Sequence, residues 1–158
     1  MDSTLLGALI GGGFAVAGSV CTAVAAYFTN KHGEHAKIRM KKKEDLYISL
    51  IELRESILLL GRTFSSPSVT AQRILDGKNG FDSSRKKVIM IISLYFPSLD
   101  DRLDNLNKSL SLTRMNFIAV NADAFLEGTL SEVEGNNEKR ETLIEIRKLL
   151  HHVSKLKI

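Results

Sequence analysis

The pattern of apolar and polar positions changes character near residue 30. Residues 5–28, LLGALIGGGFAVAGSVCTAVAAYF, run for 24 positions without a charged side chain. From residue 44 onward, apolar residues recur at intervals of three and four, the period of amphipathic helices. The first stretch is long enough to cross a bilayer: as a helix it reaches roughly 36 Å, against a hydrocarbon core of about 30 Å. Ser3 or Thr4 suits its N-cap, and Tyr27 and Phe28 lie where interfacial aromatics lie. The pattern predicts one transmembrane helix there.

The remainder reads as an all-α antiparallel bundle over residues 44–158. Leu46, Leu50, Leu53, Ile57 and Leu60 are spaced as in a coiled-coil seam, and Ile48, Ile51, Leu58 and Leu59 widen that stripe toward burial within a bundle. Gly61 and the Ser/Pro run ending at Pro67 close the element, and a short helix is expected over residues 68–75. Residues 76–80, DGKNG, predict a loop. Asp82 or Ser83 then caps a helix to about Phe96, although the β-branched stretch 88–96 also fits a strand. Pro97 breaks the chain. Leu99, Leu103, Leu106, Leu110, Phe117 and Val120 carry a stripe through the next helix, with Asp100 and Asp101 in its first turn. Gly128 and residues 134–137 punctuate. Glu138 opens a last helix that buries Leu143, Ile146, Leu149, Leu150, Val153 and Leu156.

Charge sharpens this division. The net charge of +4 hides a segment, residues 31–43, with six basic side chains against Glu34 alone. Residues 44–158 hold 16 basic and 16 acidic side chains, a net of zero. The chain thus divides into a span with a short outer N-terminus (1–30), a basic juxtamembrane segment (31–43) and a bundle (44–158). Basic residues clustered directly after an apolar run mark topology, not a nucleic-acid-binding face. The positive-inside rule places the N-terminus outside and the bundle in the cytoplasm. Lys37, Arg39, Lys41, Lys42 and Lys43 are the expected topology and headgroup residues, each worth about 1 kcal/mol beside anionic lipid. Ala23, Val24 and Ala25 resemble a signal-peptide cleavage site, but the basic residues follow the run instead of preceding it, which favours a retained anchor.

Within the run, Gly7, Gly11, Ala15, Ser19 and Ala23 recur every fourth residue. Small side chains on one ridge let two membrane helices approach closely, so self-association is expected along it. Glycine is also simply common in membrane helices.

No phosphate loop, dinucleotide fingerprint, zincin motif or nucleophile elbow occurs. His32 and His35 would need Glu34 or another subunit to hold a metal, and a solvated basic flank is the commoner state. His151 and His152 are adjacent and point to different faces of a helix. Cys21, within the apolar run, is the chain's one cysteine, so neither a disulfide framework nor a cysteine zinc site is expected. The expectation is a non-enzyme with no cofactor and no metal.

Three features together, the uncharged Gly-rich N-terminal span, the Lys/Arg stop and the Leu94, Tyr95, Phe96, Pro97 break before an acidic-leucine helix, resemble small single-span membrane proteins of bacteria and their prophages. The resemblance implies residence in the bacterial inner membrane with a cytoplasmic helical bundle, and no defined activity or functional residues. Two functions are expected. The first is a self-associating, membrane-anchored adaptor that presents its bundle to a protein partner. The alternative is a membrane-perturbing effector, such as a toxin, phage-exclusion or holin-like protein, acting through an oligomerised span.

Overall fold

The computed structural model describes the backbone of residues 3–66, 69–130 and 132–156; within these, side chains are described at residue 19, at 22–31 and from 33 onward. Every regular element described is helical: α1 (Ser3–Phe64), α2 (Ala71–Tyr95), a 3₁₀ turn (Pro97–Leu99), α3 (Asp100–Leu112), a π-helical segment (Thr113–Ala119), α4 (Val120–Leu126) and α5 (Asn136–Lys155). The chain divides into two compact units, Met1–Met40 and Lys41–Ile158.

In the first unit α1 exposes apolar side chains at Val24, Tyr27, Phe28 and Ile38. The Tyr27 and Phe28 rings meet edge to face at 5.8 Å. Among the described residues no helix is long and apolar enough to cross a membrane. The span expected over residues 5–28 therefore finds no support there. Most of it, residues 5–18 with 20 and 21, lies outside the residues whose side chains are described.

The second unit is an up-down-up-down bundle of four rods: the C-terminal part of α1, then α2, then α3 continued through the π segment into α4, then α5. The pairing follows from contacts between neighbours. Ser56 and Leu60 of α1 lie against Gly80 and Gly77 of α2. Arg85 of α2 donates to Ser111 at 3.1 Å, and Asp82 meets Arg114 at 3.5 Å. Ser109 meets Thr142 of α5 at 2.6 Å. Lys43 of α1 donates to the Leu156 carbonyl at 2.8 Å, closing the ring of rods. Each rod runs opposite to both neighbours.

The seam expected in α1 forms the core: Leu46, Leu50, Leu53, Ile57 and Leu60 are fully buried. Ile48, Ile51 and Leu59 are not, with 55, 37 and 51% of their surface exposed. They were expected to widen the buried stripe. With α2 on one flank of α1 and α5 on the other, the side that carries these three residues faces no rod of this bundle.

The loop expected at residues 76–80 is instead the middle of α2, and of the stretch 88–96 all but the C-cap Phe96 is helix, not strand. Its buried positions, Ile74, Gly77, Phe81, Ser84, Val88 and Ile91 with Ile92 beside it, step by three and four residues without interruption. Glycine costs a helix about 1 kcal/mol relative to alanine. Here that cost is offset by close approach: a Cβ at position 77 would lie 2.7 Å from Leu60 Cδ2, and one at position 80 would lie 3.2 Å from Ser56 Oγ. Of the short helix expected over 68–75, residues 71–75 are the start of the same rod, capped by the non-helical Thr70, whose Oγ1 accepts from Arg73 N–H at 3.4 Å, while residue 68 lies outside the described residues.

The third rod keeps the expected stripe from Leu99 to Phe117 and then departs from it. Val120 is exposed, while Ile118 and Asn121 are buried. A π turn holds more residues than an α turn, so the inward face shifts by about one residue past the segment. The rod ends at a Schellman motif: Thr129 N–H donates to Ala124 O at 2.9 Å and Gly128 N–H to Phe125 O at 3.1 Å, with Gly128 at φ +70°.

Candidate functional site

The basic residues picked out by sequence separate into two kinds. Lys37, Arg39 and Lys41 are exposed. Lys42 and Lys43 are half-buried and belong to the bundle. Lys42 Nζ bonds Asp45 Oδ2 at 2.9 Å and lies 5.6 Å from the centre of the Tyr95 ring. The bond to Asp45 holds the Lys42 ammonium above its usual range, and the same bond holds the Asp45 carboxyl below its own. Lys43 donates to the Ser154 and Leu156 carbonyls at the C-terminus of α5, where a cation complements the helix dipole. Of the small-residue ridge, Ser19 and Ala23 are exposed, while the side chains or Cα surroundings of Gly7, Gly11 and Ala15 lie outside the described residues. Among the described residues no group of three or more His, Cys, Asp or Glu gathers as a metal site would require.

The junction of the third rod with α5 is polar inside. Thr113 and Thr142 are fully buried. Thr113 Oγ1 donates to Glu138 O at 3.0 Å. Because a hydroxyl has one proton, Thr142 must then donate to Thr113 at 2.8 Å, and Ser109 to Thr142 at 2.6 Å. The chain of bonds is fully satisfied, as buried polar groups require. Asn121, also buried, donates to Phe117 O at 2.6 Å and Glu134 O at 2.9 Å, and accepts from Glu134 N–H at 3.0 Å. It fastens the loop before α5 to the π segment. At its surface end Glu138 accepts from Asn116 Nδ2 at 3.1 Å. Its own backbone N–H and then Asn116 hold the Glu138 carboxyl below its usual range. These groups fix one packing of the last helix.

Two surface grooves flank α5. The larger, of about 660 Å³ against α3, mixes Arg102, Lys108 and Lys148 with Glu141 and Glu145. Lys148 and Glu145 pair at 2.6 Å, so this groove is largely neutralised from within. The other, of about 450 Å³ against α1, is lined by Arg54, Leu58, Arg140, Leu143, Ile144, Arg147 and Leu150 and by no carboxylate. Arg140 and Arg147 make no ion pair or side-chain hydrogen bond among the described residues, and Arg54 meets only its chain neighbour Glu55, at 3.5 Å. Leu143 and Leu150, expected in the core, are half-buried and form the groove's floor. The sequence reading missed these arginines. Their signal was the seven-residue spacing of Arg140 and Arg147 beside Leu143 and Leu150, which puts all four on one side of a helix. The groove thus joins an apolar floor to a rim of three arginines. No family model matches the chain, and no curated protein or solved structure matches it.

Proposed function

We propose that this chain is a membrane-anchored helical adaptor, with residues 5–28 as the anchor, residues 31–43 on the cytoplasmic side and the bundle offered to a protein partner. The observation that carries this is a division of labour. The core begins at Leu46, and no described residue before it takes part. The described apolar side chains of the uncharged run, Val24, Tyr27 and Phe28, are exposed. Exposed apolar surface of that kind calls for lipid or another helix. The charge cluster directly after it supports the orientation. Anionic headgroups are the lipid partner in this reading, with Lys37, Arg39 and Lys41 as the cations free to meet them. Neither nucleic acid nor a cofactor is invoked.

The test is extraction and topology of the full chain in a bacterial host. The protein should stay in the membrane fraction through alkaline carbonate washing. A reporter fused after Ile158 should be active if it works in the cytoplasm and silent if it works only in the periplasm. Release by carbonate, or a strong periplasmic signal, would reject the anchor or its direction.

Self-association belongs to the same proposal. Close approach along Gly7, Gly11, Ala15, Ser19 and Ala23 requires small side chains there. Gly11→Ile and Ala15→Ile should lower the signal in a membrane two-hybrid assay severalfold, while Leu9→Ile and Val24→Leu leave it unchanged. Equal signals from both pairs would reduce the glycines to ordinary membrane-helix composition.

A further inference from the structure

We infer that the groove between α1 and α5 is the docking site of an acidic amphipathic helix from a partner protein, one that carries carboxylates two turns apart beside an apolar stripe. This rests on the adaptor reading and names the chemistry of its partner. Three observations carry it.

The first is the charge imbalance. Arg54, Arg140 and Arg147 line the groove and no carboxylate does. The bundle as a whole is balanced, with 16 basic and 16 acidic residues over 44–158. Among the described residues Arg140 and Arg147 have no ion pair, and the apolar floor beside them holds no carboxylate to answer them. The larger groove across α5 differs in that Glu141 and Glu145 line it beside its basic residues, with Glu145 paired to Lys148.

The second is spacing. Arg140 and Arg147 are seven residues apart on one helix, so their Cα atoms lie about 10 Å apart along its axis. That matches carboxylates at i and i+7 of an approaching helix, and it exceeds what one phosphate or one lipid headgroup can bridge with its own oxygens. Arginine is also the cation whose planar fork grips a carboxylate at two points.

The third is the floor. Leu58 of α1 with Leu143 and Leu150 of α5 lie between the charged rims, and exposed Ile144 extends the apolar surface. Apolar residues at i, i+3, i+4 and i+7 of a docked helix would cover them. The chain's own basic segment, residues 31–43, repels this site and cannot be its occupant. A second copy could bring Asp100, Asp101 and Asp104 from the start of its α3, or Glu138 and Glu145, seven apart on its α5.

The experiment uses the full chain in zwitterionic nanodiscs and two labelled 18-residue helical peptides. They share one leucine stripe and differ in carrying Glu or Lys at the positions seven apart, and anisotropy is corrected for empty discs. The Glu peptide should bind saturably and about tenfold more tightly than the Lys peptide, the scale expected for two partly exposed charge pairs acting together. In the double variant Arg140→Glu, Arg147→Glu the preference should reverse. Both side chains are exposed, so its thermal melt should match the wild type and separate loss of binding from loss of fold. Equal affinity for the two peptides, or an unchanged preference in the double variant, overturns the proposal. Full competition by inorganic phosphate or by added phosphatidylglycerol overturns it in favour of a headgroup site. A rise in mass that is abolished in Arg140→Glu, Arg147→Glu without any added peptide overturns it in favour of a second copy. A charge-selective peptide with a periplasmic reporter signal would reject the anchor's orientation and keep the groove; the opposite pair of results would do the reverse.

Discussion

Replacing Leu53 by aspartate should abolish the cooperative fold of the bundle. Leu53 is fully buried in the α1 seam between Leu50 and Ile57, and no basic side chain shares that seam. The substitution removes a large apolar side chain, which alone costs about 2–5 kcal/mol. It also places a carboxylate where neither water nor a cation reaches it. Together these approach the whole stability of a domain this size, about 5–15 kcal/mol. The measurable result is loss of the thermal transition followed by circular dichroism on the full chain, together with rapid proteolysis of residues 41–158. Lys108→Glu is the control. Lys108 is exposed on α3, and a surface change of this kind moves stability by no more than about 0.5 kcal/mol. A cooperative melt near the wild-type temperature for Leu53→Asp would mean that α1 does not form the centre of the core.

The helical class, the α1 seam and the last helix were legible because apolar residues there repeat at helical spacing. Leu46 through Leu60, and Ile146, Leu149 and Val153, are inside as the period requires. Elsewhere the inward positions are occupied by residues that do not look inward. In α2 they include Gly77 and Ser84, so the stripe was broken on paper and glycine suggested a turn. In truth the glycines admit Leu60 and Ser56 of α1, a tertiary reason invisible in a local window. Val120 was misplaced for a different cause. The periodicity argument assumes one helical pitch, and the π segment changes it partway along the rod. Thr113, Asn121 and Thr142 are buried because they satisfy one another or a backbone group across elements, which no single segment can announce. The groove was half legible. Arg140 and Arg147 shared a face from the outset, but only the fold brings Arg54 of α1 opposite them.

Gly135→Ala should be the most damaging change of a single methyl group in the bundle. Gly135 precedes α5 at φ +71°, a conformation an alanine adopts at a cost of roughly 1–2 kcal/mol. Space makes it worse. A Cβ there would fall 2.7 Å from the Phe117 Cα and closer still to the Asn116 carbonyl oxygen. Both are backbone atoms of the π segment, so no side-chain rotation relieves the clash, and forced displacement adds about 1–3 kcal/mol. The backbone there is also fastened. Asn121 ties Phe117 O to Glu134, and Thr113 ties the same segment to Glu138. Moving the segment therefore strains the buried hydroxyl chain as well. The expected total is roughly 2–5 kcal/mol, read as a lowered urea midpoint of the full chain. Gly128→Ala separates the two causes. Gly128 has nearly the same φ, +70°, but nothing within 4 Å of the added Cβ, so it should lose only the conformational part, roughly 1–2 kcal/mol. Equal losses at the two sites would show that the close approach of Gly135 to the π segment contributes nothing to stability.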